Sequence, residues 1–136
     1  MIVEEVMSRD PYCADAGASI RQVMRMLVEA DVRHIPIVDE GGLVGIVSDR
    51  DLRQVMPGVL EELESPLATR PLLSRPITSV MSSDVVSVNP ESDLAEAVDL
   101  MIELKIGAIP VVEADSTKLV GIVSYVDALR AAREYL

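Results

Sequence analysis

The chain has 136 residues, 49% hydrophobic and 26% charged, with 12 basic against 23 acidic side chains and a net charge of −11; it is long enough to bury roughly two-thirds of its unfolded surface and unlike a disordered composition. That acidity repels a phosphate backbone, and three Tyr with no Phe or Trp leave few platforms for stacked bases, so nucleic acid is excluded as a partner. No apolar run nears the roughly 20 residues that span a bilayer, the acidic start MIVEEVMSRD has no secretory pattern, and the lone Cys13 has no internal disulfide partner, so a cytoplasmic location with no membrane contact is expected.

In chain order, Ser19 and Gln22 have the spacing of a capping box, which predicts a helix start. Behind them Ile20, Val23, Met24, Leu27 and Val28 recur at helical spacing, so one stripe of that helix is expected to be buried. Two β-branched runs follow, Ile35 to Val38 and Leu43 to Val47, parted by Asp39-Glu40-Gly41-Gly42. This is hairpin chemistry, because Gly accepts the positive φ of a tight turn. A short helix is expected after Ser48. Pro57, Pro66 and Pro71 then interrupt a connector in which Val59 to Glu64 has the makings of one helical turn or two.

The elements then recur. Asp93 and Glu96 predict a second capped helix with Leu94, Ala97, Val98, Met101 and Ile102 on its apolar stripe. Ile109 to Val112 and Leu119 to Val123 form a second hairpin across a longer turn, and a helix runs from Ser124 through Leu129 toward Tyr135. The recurrence is literal in places. Val6-Met7-Ser8 aligns with Val80-Met81-Ser82 at an offset of 74, and Leu43-Val44-Gly45-Ile46-Val47-Ser48 aligns with Leu119-Val120-Gly121-Ile122-Val123-Ser124 at 76. The repeat divides the chain into a first motif, 1–56, a connector, 57–75, and a second motif, 76–136, expected to form one compact module.

Two copies of β-α-β-β-α, each ending in Gly-hydrophobic-hydrophobic-Ser-x-x-Asp, resemble the two motifs of a tandem CBS-domain pair, named after cystathionine β-synthase. Val6-Met7 and Val80-Met81, the Ile35-Pro36 and Ile109-Pro110 steps, and the tails Gly45 to Asp51 and Gly121 to Asp127 carry the resemblance. It covers almost the whole chain. It implies an α/β (α+β) fold in which the motifs pack as a pseudo-two-fold pair, with clefts that take AMP, ADP, ATP, S-adenosylmethionine or a dinucleotide. It also implies a free-standing regulatory module and not an enzyme, with no required cofactor, a homodimer joined through helix faces, and an effector protein in trans. The alternative is a dimerisation or interaction module without a ligand.

The leading ligand candidates are Ser48 with Asp51 and Ser124 with Asp127. A carboxylate accepts two hydrogen bonds from neighbouring hydroxyls, which suits a ribose, and Ser suits a ribose or phosphate oxygen. The alternative reading makes the serines N-caps and the aspartates third-position acids favoured by the helix dipole. Arg33 and His34 lie just before Ile35, on a strand that the resemblance directs toward a cleft. Their counterparts are Gly107 and Ala108, so two unequal sites are expected. A phosphate at His34 predicts tighter binding as pH falls from about 8 to about 6. Arg50 is a further phosphate candidate, as are Arg53, Arg130 and Arg133. Ile35, Val47, Ile109 and Val123 stand as adenine walls or as core, and Pro36 and Pro110 join the ligand-binding candidates. One His and one Cys supply no metal shell, and no nucleophile and base are paired for catalysis.

Overall fold

The structure, a computed structural model, describes residues 1–55 and 71–136. Pro57, Pro66 and the Val59 to Glu64 stretch lie outside them. Ser19 closes the first turn of α1 (Ile20–Ala30): its Oγ accepts from the Gln22 N–H at 3.2 Å, and Gln22 Oε1 accepts from the Ser19 N–H at 2.8 Å. This is the reciprocal box that the spacing predicts. Short β1 (Ser8–Arg9) and β2 (Ala14–Asp15) precede it, and β3 (His34–Asp39), β4 (Gly42–Ser48) and α2 (Asp49–Arg53) follow. Glu40 at φ 52° and Gly41 at φ 81° form the two-residue turn between β3 and β4, the left-handed pair that matches strand twist.

After α3 (Pro71–Ser74) come α4 (Leu94–Leu104), β5 (Ala108–Val112), β6 (Leu119–Ser124) and α5 (Tyr125–Arg133). The result is a mixed α+β fold with two three-stranded sheets, β2-β3-β4 and β1-β6-β5. In the first, β2 runs parallel to β3, with Ala14 opposite Ile37; in the second, β1 and β5 both run antiparallel to β6.

The chain forms two compact units whose boundaries do not follow the repeat. One unit holds Tyr12–Asp39 and Val44–Val85, and the other holds Met1–Pro11, Glu40–Leu43 and Val86–Leu136. We call them the first and second units after the copy whose helices they contain. Each copy's lead-in segment thus packs within the unit of the other copy. In the first unit the Ile77 N–H donates to the Ala18 carbonyl at 2.8 Å and the Ile20 N–H to the Arg75 carbonyl at 2.9 Å. In the second, the Val3 N–H donates to the Ser92 carbonyl at 2.8 Å and the Leu94 N–H to the Met1 carbonyl at 2.9 Å. The four bonds are pseudo-equivalent. They satisfy helix-start N–H groups that have no partner within their own helix.

One expected cap is corrected. Asp93 makes no side-chain hydrogen bond at the start of α4. The Glu96 N–H, which an Asp cap would capture, donates instead to the Asp93 backbone carbonyl at 3.0 Å. The stripes are also narrower than expected. Val28 and Ile102, predicted to be buried, are 80% and 68% exposed, because at 100° per residue a side chain eight residues on has turned about 80° away from the first.

Ile20, Val23, Leu27, Ile35, Ile37, Val47 and Ile77 form the core of the first unit, and Val3, Val88, Ala97, Met101, Ile109, Val111 and Val123 that of the second. Glycine is required where β1 crosses β6: a Cβ at Gly121 would lie 2.9 Å from the Ser8 carbonyl oxygen and 2.6 Å from Met7 Sδ. At the equivalent Gly45 the three nearest atoms all belong to the Met81 side chain.

Candidate functional site

Each hairpin delivers its last serine to the start of a helix. Ser48 Oγ accepts from the Asp51 N–H at 3.1 Å while Asp51 Oδ2 accepts from the Ser48 N–H at 2.9 Å. Ser124 and Asp127 repeat this at 3.2 and 2.9 Å. The capping reading is therefore realised twice. It occupies one oxygen of each carboxylate: Asp51 Oδ1 and Asp127 Oδ1 have no hydrogen-bond partner among the described residues, and all four side chains are half-buried.

The same frame fixes the start of the first hairpin strand against the helix. The Asp49 N–H donates to the Arg33 carbonyl at 3.0 Å in the first unit, and the Tyr125 N–H donates to the Gly107 carbonyl at 3.0 Å in the second. Arg33 and His34 are thereby brought beside Ser48, Asp49 and Asp51. Arg33 and Arg50 are exposed, and neither is in an ion pair among the described residues. Arg53, Arg130 and Arg133 are exposed on later helical turns.

His34 is half-buried. Burial holds its imidazole below the ordinary 6.5, the carboxylates of Asp49 and Asp51 pull it back up, and Arg33 pushes it down. The ring is therefore mostly neutral at pH 7, and the protonation expected between pH 8 and 6 is displaced toward lower pH.

Ile35, Pro36, Ile109 and Pro110 are fully buried, and Ile35 and Ile109 belong to the cores of the first and second units. Asp49 and Tyr125 were not singled out by sequence, although both follow the capping serine directly and this position was there to compare. A depression of about 650 Å³ in the first unit, lined by Cys13, Asp15, Gln22, Arg25 and Glu29, contains none of the candidate residues. Among the described residues no group of three or more His, Cys, Asp or Glu is placed to hold a metal ion. None of their helices is long and apolar enough to cross a membrane.

The family model for the CBS domain matches residues 3–58 and 77–134. The chain is 25% identical to protein MJ1225 of Methanocaldococcus jannaschii over 131 residues, 95% of this chain and 46% of that one. It is 26% identical over 130 residues to L-aspartate semialdehyde sulfurtransferase of the same organism, 95% of this chain and 23% of that enzyme. The chain thus spans less than half of these relatives. Among solved structures, the CBS domain pair of MJ0100, in complex with 5′-methylthioadenosine and S-adenosyl-L-methionine, superposes with a TM-score of 0.82 at 25% identity, covering 100% of this chain and 98% of that one. CBSX2 in complex with AMP superposes with a TM-score of 0.81 at 28% identity, covering 98% and 97%. With matches over both copies and throughout the fold, this chain belongs to the CBS domain family and contains a tandem pair of its motifs.

Proposed function

We propose that the chain is a regulatory module that binds an adenosine-containing ligand through its ribose, with Asp51 and Asp127 accepting from the ribose hydroxyls. The observation that carries this reading is the junction built twice, each copy holding a half-buried carboxylate with an oxygen left unpartnered among the described residues. Pairs of this fold that bind AMP, or 5′-methylthioadenosine and S-adenosylmethionine, support it. The module itself has no catalytic role in this reading, and it passes its signal to an effector protein in the cytoplasm.

A thermal melt with AMP, ATP, 5′-methylthioadenosine and S-adenosylmethionine tests it. A ligand at about 100 times its dissociation constant stabilises the fold by about 2.7 kcal/mol, a rise of several degrees for a chain of this size. If none of the four moves the melt at millimolar concentration, the reading fails.

A second reading, self-association, is favoured by the exposed apolar side chains on the helices. Val28 on α1, Ile102 on α4 and Leu129 on α5 are 80%, 68% and 62% exposed. A homodimer joined through such faces is the expected species in sedimentation at moderate salt, against a net charge of −11 that opposes it. A single species near 14.7 kDa across the micromolar range would remove that reading and leave ligand binding intact.

A further inference from the structure

We propose that the two junctions divide the ligand by its phosphate: the Arg33 junction takes the 5′-phosphorylated form and the Gly107 junction the phosphate-free nucleoside. This rests on the ribose reading above and adds a chemical class to each site. The backbone frames are alike, with strand-to-helix hydrogen bonds of 3.0 Å in both and the serine–aspartate box in both. What differs is side-chain chemistry at four matched positions: Arg33, His34, Asp49 and Arg50 in the first unit against Gly107, Ala108, Tyr125 and Val126 in the second.

At the first junction two exposed guanidinium groups have no ion-pair partner among the described residues. A guanidinium offers a planar fork of donors that matches a phosphate in two-point contact. Asp49 and Asp51 set two carboxylates against those two cations, so the first junction is near charge balance. The second has no cation at the matched positions, only the Asp127 carboxylate. A phosphate there would lose water without gaining a charged donor, and would meet that carboxylate. An uncharged 5′ group meets neither cost. Tyr125, 49% exposed, and Val126, 37% exposed, offer it apolar surface instead.

Calorimetry with AMP and adenosine at pH 8, where His34 is neutral, tests the division. In the parent, AMP should titrate as one tight site per chain and adenosine as two weaker ones. Arg33→Gly with His34→Ala should weaken AMP by about tenfold or more and leave adenosine unchanged. Gly107→Arg should create a second AMP site. Gly107 is not at positive φ, so its backbone accepts a side chain, and a gained site cannot arise from misfolding. Two equal AMP sites in the parent, or undiminished AMP binding in the double variant, would overturn the division while adenosine binding still upheld the ribose reading. If neither probe binds, the ribose reading falls and the division with it.

Discussion

Ile77→Ala is expected to destabilise the protein by roughly 2–5 kcal/mol, a fall in melting temperature on the order of 10 °C for a chain of this length. Ile77 belongs by sequence to the second copy, yet it is 0% exposed in the core of the first unit with Ile20, Ile35 and Val47. Removing three carbons there opens a cavity that its β-branched neighbours, stiff at χ1, fill poorly. The pseudo-equivalent Val3, 0% exposed in the other core, should behave alike with a smaller deletion. Guanidinium unfolding of the two variants checks this. A cost below about 1 kcal/mol for Ile77→Ala would mean that the lead-in segment is not integral to the core.

Asp51→Ala and Asp127→Ala should separate ligand binding from folding. Each removes a carboxylate that accepts one backbone N–H at 2.9 Å, so the apo protein should lose about 0.5–2 kcal/mol, as for other helix-start bonds. A ribose held by the same carboxylate loses charged hydrogen bonds of about 1.5–3 kcal/mol, or roughly 10- to 150-fold in affinity, at one site per variant. Asp51→Asn refines the test, because its carbonyl oxygen still accepts from the Ser48 N–H. Stability should recover more than affinity does. Titration of each variant with the ligand that shifts the parent melt provides the readout, and unchanged binding in both alanine variants would leave the two aspartates as caps alone.

Sequence by itself determined what depends on neighbours along the chain. The Ser19–Gln22, Ser48–Asp51 and Ser124–Asp127 boxes formed because a cap bond spans three residues, and no distant group competes for their N–H donors. The hairpins, the short helix after Ser48 and the duplication were legible for the same reason, and so was the family. Tertiary structure decided the rest. Nothing in the side chains of Met1 or Arg75 marks them as partners of Leu94 and Ile20, since the bonds join backbone groups that any residue could supply. That exchange placed Ile77 and Val3 in cores their own copies do not own. Exposure of Val28 and Ile102 depended on which face of each helix the sheet left uncovered. His34 could be read as a phosphate contact from its position, but the lowering of its pKa came from burial, against the upward pull of Asp49 and Asp51, and desolvation is a property of the folded surroundings.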